Sequence, residues 1–172
     1  MIKISKNGFT LIELLVVITI MGILTIITAS QFTLARKRAA DSQRKTDISS
    51  VAKALQMYYA DYGKYPIATD LEGGRGLNVL WGLELKDLTG YTYMKVVPKE
   101  NILPSPTQYC YVVSPDQKKF SLYTILENTN DPECLKDGSG DLLYTACGRN
   151  NAFCFAISSV NNDPLDPDLT IY

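Results

Sequence analysis

Two hydrophobic patterns follow one another along the first third of this chain, and they predict different surroundings for a single helix. From Leu14 to Ala35, 22 consecutive residues carry no charge, and the apolar ones fall on every side of a helical wheel. A helix of that length reaches about 33 Å, enough to cross the roughly 30 Å hydrocarbon core of a bilayer. A cleaved secretory signal needs an apolar stretch of only about 7–15 residues before a small-residue cleavage site, and Ile27-Thr28-Ala29-Ser30 is a poor one. Farther along, Ile48, Val51, Ala52, Leu55, Tyr58 or Tyr59, and Tyr62 recur at helical spacing, the stripe of an amphipathic helix lying on a core. No proline occurs before Pro66, and Gly63 stands where a helix C-cap belongs, so one helix over about 9–62 is predicted. Its first half is too long to be covered by a body of about 110 residues, whose diameter is near 30 Å. It must lie in lipid or among other helices.

Beyond Pro66 the pattern becomes that of a small mixed domain. Glu72-Gly73-Gly74-Arg75-Gly76 reads as a turn, since its glycines neither follow a strand nor match a phosphate-binding spacing. Leu77, Leu80, Trp81 and Leu88 predict a short helix over 77–88 packed on the long one. The β-rich runs 108–114 and 120–126, joined by Pro115-Asp116-Gln117-Lys118-Lys119, predict an antiparallel hairpin, and 153–160 a third strand. The expected fold class is α+β: a long N-terminal helix packed on one face of a small antiparallel sheet.

Composition narrows the chemistry. The 172 residues include 17 Lys+Arg against 18 Asp+Glu and no His, which excludes Ser-His or Cys-His catalysis and His-ligated metals. The near-neutral sum hides segregation. Only Glu13 is charged between Phe9 and Ala35; 36–54 carries six bases and two acids; 55–172 carries nine bases and fifteen acids. All of Cys110, Cys134, Cys147 and Cys154 lie beyond the apolar run, an even count that points to disulfides in an oxidising space. They allow three pairings, among them a tight Cys147–Cys154 clip or a Cys134–Cys147 bridge with Cys110 tying two strands. Spacings of 23, 12 and 6 intervening residues lack the Cys-x-x-Cys knuckles of a structural zinc site. Counting loop charge, Arg36, Lys37, Arg38, Arg44 and Lys45 outnumber Lys3, Lys6 and the amino terminus, which would place the body in the cytoplasm. The cysteines argue for the other side.

Glu13 is the anomaly of the apolar half, because a carboxylate in a membrane helix costs several kcal/mol unless paired, protonated or near the interface. One reading puts it at the interface, beside the positive end of the helix dipole. The other gives it a cationic partner. A cut after Gly8 would create one by giving Phe9 a charged α-amine.

Lys6-Asn7-Gly8-Phe9-Thr10-Leu11-Ile12-Glu13-Leu14-Leu15-Val16-Val17-Ile18 resembles the prepilin signal of the type IV pilin and type II secretion pseudopilin superfamily. Ala54-Leu55-Gln56-Met57-Tyr58-Tyr59-Ala60-Asp61-Tyr62-Gly63-Lys64-Tyr65-Pro66 is similar to the helix end and exit turn of the major pseudopilin. The resemblance implies a leader over 1–8, a transmembrane and filament-core helix over 9–35, its amphipathic continuation over 36–62 and a disulfide-stapled globular domain over 63–172. It implies cleavage after Gly8 by prepilin peptidase, methylation of Phe9, and a role for Glu13 in neutralising a neighbouring subunit's amine during assembly. It places the body outside the cytoplasm, first membrane-anchored and then in a filament. The partners implied are identical subunits, minor pilins, the peptidase and an inner-membrane assembly platform; the chain is a peptidase substrate, not an enzyme. Where helices of this family commonly carry proline, this chain has Ser30, so the helix is expected to loosen, if at all, only around Gly22.

Asp131, Asp137 and Asp141 lie where the major pseudopilin's calcium loop falls, which makes calcium the one cofactor to test; the other reading is a solvated acidic turn, since Asp-Gly is a favoured turn pair and the ligand spacing is not that of an EF-hand. The basic collar Arg36, Lys37, Arg38, Arg44 and Lys45 suits membrane lipid or neighbouring subunits, with nucleic acid not expected. Two alternatives to a pilus or secretion pseudopilus subunit remain: a membrane-anchored binding domain that never polymerises, and a DNA-uptake pilin.

Overall fold

A computed structural model describes residues 9–99, 109–136, 153–159 and 170–171. Helix α1 runs over Leu11–Tyr62. It ends where expected: Gly63 adopts φ +64° and its amide donates to the Tyr59 carbonyl at 2.7 Å, a left-handed C-cap that a side chain would strain. The chain forms two compact units that divide between Ala39 and Ala40.

In the first unit α1 has no core to face. The apolar side chains described there are all exposed, from Phe9 at 86% to Leu34 at 39%. The helix is apolar and long enough to cross a membrane by length and composition.

The second unit buries the expected stripe. Ile48, Val51, Ala52, Leu55 and Tyr58 are buried and pack with Tyr109, Tyr111, Val113, Phe120 and Leu122. Tyr62 leaves the stripe: it is exposed, and its hydroxyl donates to Asp87 Oδ2 at 2.8 Å. The last five partners come from strands β3 (Tyr109–Val113) and β4 (Phe120–Thr124), paired antiparallel with Tyr109 opposite Thr124. Strand β5 (Phe155–Ser158) joins β4, and β6 (Thr170–Ile171) joins β3, giving the order β5-β4-β3-β6. The hairpin and third strand agree with their sequence signals.

Three expectations are corrected. The sheet is covered on both faces, because Cys110, Val112 and Tyr123 form a second buried cluster with Phe153 on the side away from the helix. The 77–88 segment is no helix. It forms one 3-10 turn, Leu77–Val79, then β1 (Leu85–Lys86), which pairs antiparallel with β2 (Thr92–Met94). Gly82, in the middle of the segment, decides this: it adopts φ +85°, outside the helical region, and its amide donates to the Val97 carbonyl at 2.7 Å while the Leu83 carbonyl accepts from the Val97 amide at 2.7 Å. Finally, Cys134 pairs with Cys154, neither of the two bridges singled out from sequence, and this rules out a four-thiolate zinc site. Cys110 is also disulfide-bonded, to a partner outside the described residues.

The Cys134–Cys154 bridge closes 20 residues of sequence, so chain entropy predicts about 3 kcal/mol of stabilisation. Cys134→Ala with Cys154→Ala is expected to lower the unfolding free energy by about 2–4 kcal/mol in urea titration. A change below half of that would mean that the loop is held by its other contacts.

Candidate functional site

The start of α1 is built by two residues three apart. Thr10 is the N-cap and Glu13 the third helical residue. The Glu13 amide donates to Thr10 Oγ1 at 3.3 Å, while Glu13 Oε2 accepts from the Thr10 amide at 2.9 Å and from its hydroxyl at 2.7 Å. This is a reciprocal capping box, and it places the carboxylate at the positive end of the helix dipole. Thr10 was not singled out from sequence, although Thr-x-x-Glu before an apolar run is a readable signal. A shallow apolar groove lined by Phe9, Ile12, Val16 and Val17 surrounds the carboxylate. An acid set among exposed apolar side chains is the pattern of an interaction surface. Gly8 lies outside the described residues.

The collar separates into two parts. Arg44 is buried: Nη1 donates to Asp41 Oδ1 at 2.5 Å and Nη2 to Glu127 Oε1 at 2.9 Å. Asp41, also buried, accepts the Glu127 and Asn128 amides at 2.8 and 2.9 Å. Lys45 Nζ donates to both oxygens of Asp131 at 2.9 Å and to Glu133 at 2.6 Å. These two bases therefore fasten the segment after β4 to α1 rather than waiting for lipid or nucleic acid, which corrects the sequence reading of the collar as one surface. The calcium expectation is affected too, since Asp131 is already engaged by Lys45; Asp137 and Asp141 lie outside the described residues, as does Cys147.

Carboxylates also set the pH response of the body. The hydrogen bond from Lys45 holds Asp131 below its ordinary pKa. Burial pushes Asp87 up, but the hydroxyls of Thr89 and Tyr62 and the amides of Tyr91 and Thr89 outweigh it and hold the group low. At Asp70 burial is likewise outweighed, by Lys64, the Ile67 amide and Gln117. A folded pKa below the unfolded one gives stability that is present above about pH 4 and lost as pH falls through the folded values. Burial raises the pKa of Tyr58, Tyr93 and Tyr111, so their contribution is present below about pH 10 and lost above it. The thermal midpoint is expected to be flat between about pH 5 and 9 and to fall on both sides. A midpoint that rises from pH 5 to pH 3 would contradict this network.

A membrane-length helix headed by an acid in a capping box, continued as the spine of an antiparallel sheet, defines a pilin-like protein. Residues 4–29 match the prokaryotic N-terminal methylation motif. The chain is 32% identical over 127 residues to the type II secretion system core protein G of Pseudomonas aeruginosa, covering 70% of this chain and 83% of that one. The protein of the same name in Vibrio cholerae is 33% identical over 126 residues, covering 70% and 80%. The major component of the type IV wide pilus of Thermus thermophilus is 41% identical over 61 residues, 36% of this chain and 47% of that one. No solved structure matches the chain. The chain belongs to the type IV pilin and type II secretion pseudopilin superfamily.

Proposed function

We propose that this protein is a non-enzymatic filament subunit of a type II secretion pseudopilus, cut after Gly8, methylated on Phe9 and polymerised through its N-terminal helix. The carrying observation is the pairing of an apolar helix half, all of whose described side chains are exposed, with one carboxylate at its head. Glu13 Oε2 accepts from the amide of Thr10, and a cut after Gly8 would create the new Phe9 amine one residue before that amide. The amine of a neighbouring copy can take that position, and the two opposite charges then set the axial register of one helix against the next.

The pseudopilus is preferred over a type IV pilus because the similarity to the secretion proteins runs through the body, whereas that to the Thermus pilin covers 36% of this chain. In this reading the first half of α1 crosses the cytoplasmic membrane and the disulfide-bonded body lies outside, with the peptidase, an assembly platform and minor subunits as partners. Calcium binding around Asp137 and Asp141 belongs to the same proposal; it would be read as a rise in thermal midpoint over a chelated sample. Expression in a secretion-competent strain lacking its own core protein G should restore secretion and give sheared filaments. Stable membrane insertion with no filaments and no secretion would favour an anchored, non-polymerising domain.

A further inference from the structure

The two halves of the collar differ in one respect that decides what each can bind. Arg44 and Lys45 are neutralised by Asp41, Glu127, Asp131 and Glu133 within the body. Arg36, Lys37 and Arg38 are exposed and make no ion pair among the described residues. Within 9–39 the one carboxylate is Glu13, 23 residues before Arg36, or about 34 Å along the helix. The next acid along the chain, Asp41, is buried and taken by Arg44 and by the amides of Glu127 and Asn128.

Their position is equally specific. They follow directly on the 22 uncharged residues that end at Ala35. Three consecutive helical residues fan through about 200°, so they ring the helix instead of forming a face for one protein partner. The Arg36 guanidinium lies over the Phe32 ring, 5.7 Å from its centroid, which folds the charge back along the helix toward the apolar span. An aromatic ring with a cation above it, at the last turn of a membrane-length segment, is the arrangement of a headgroup anchor.

We infer that Arg36, Lys37 and Arg38 form a binding surface for anionic phospholipid headgroups on the body side of the membrane, to which Arg44 and Lys45 contribute nothing. The inference rests on the reading that 14–35 spans the bilayer. It deepens that reading by giving the unassembled subunit a lipid preference that has to be given up when it leaves the membrane for a filament.

The test reconstitutes the full-length chain in competition between phosphatidylcholine vesicles and vesicles that also contain phosphatidylglycerol. At about fivefold per base, the expected preference for the anionic vesicles is roughly a hundredfold at low salt, falling as salt is added. The triple variant R36Q/K37Q/R38Q should insert into both vesicles and lose that preference, while Lys45→Gln should keep it. A triple variant that retains the wild-type preference overturns the proposal, as does a loss of equal size in Lys45→Gln. A wild-type chain that inserts into neither vesicle overturns the spanning reading itself, and the two failures are told apart by whether insertion occurs.

Discussion

Glu13→Ala is expected to remain a membrane-inserted, peptidase-processed protein that no longer forms filaments. The substitution removes one half of the capping box with Thr10, a loss of about 1 kcal/mol. At the end of a 52-residue helix, that is far too little to unfold it. What disappears is the charge a neighbouring amine would meet in an apolar surround, where unpairing a buried ion costs about 3–5 kcal/mol and so lowers subunit association by roughly a hundredfold or more. Glu13→Gln separates the two roles, because it keeps an acceptor oxygen for the Thr10 amide and removes the charge. Both variants should fail in a shearing assay for filaments. Recovery of filaments in Glu13→Gln would reduce Glu13 to a helix cap.

The second large effect concerns the body. Asp41→Ala leaves Arg44 buried without its 2.5 Å partner and strands two amides, of Glu127 and Asn128, that Asp41 accepts. Removing one member of a buried ion pair costs about 3–5 kcal/mol, and each orphaned donor adds its own desolvation. A drop of about 10 °C or more in thermal midpoint is expected. Because apolar replacement of a whole buried pair is often tolerated, Asp41→Leu with Arg44→Met should recover part of the loss. A fall of less than about 3 °C for Asp41→Ala would mean that the ion pair is peripheral to the fold.

How far the chain could be read from sequence follows from the range of each interaction. The extent of α1, its buried stripe at Ile48, Val51, Leu55 and Tyr58, and the hairpin of β3 with β4 were legible because periodicity and local breakers such as Gly63 encode them. Thr10 was legible and overlooked. The partners of Arg44 and Lys45 were not, since Glu127 and Asp131 lie 83 and 86 residues away and only the fold brings them together. An Asp41-x-x-Arg44 pair on the face of Ile48 was the one local hint that these charges point inward. The 77–88 segment misleads because its leucines mimic helical spacing, while Gly82, at φ +85° and bonded to Val97, interrupts any helix in its middle. Cysteine pairing depends on geometry alone, and sequence left all three pairings open.

Whether this chain is a prepilin-type subunit is read from the mature amino terminus, by intact and peptide mass spectrometry of the protein isolated from membranes of its native host. The mature chain is expected to begin at Phe9 and to carry an added methyl group on its amino nitrogen. A chain that retains the leader through Gly8, with an unmodified Phe9, would contradict this expectation.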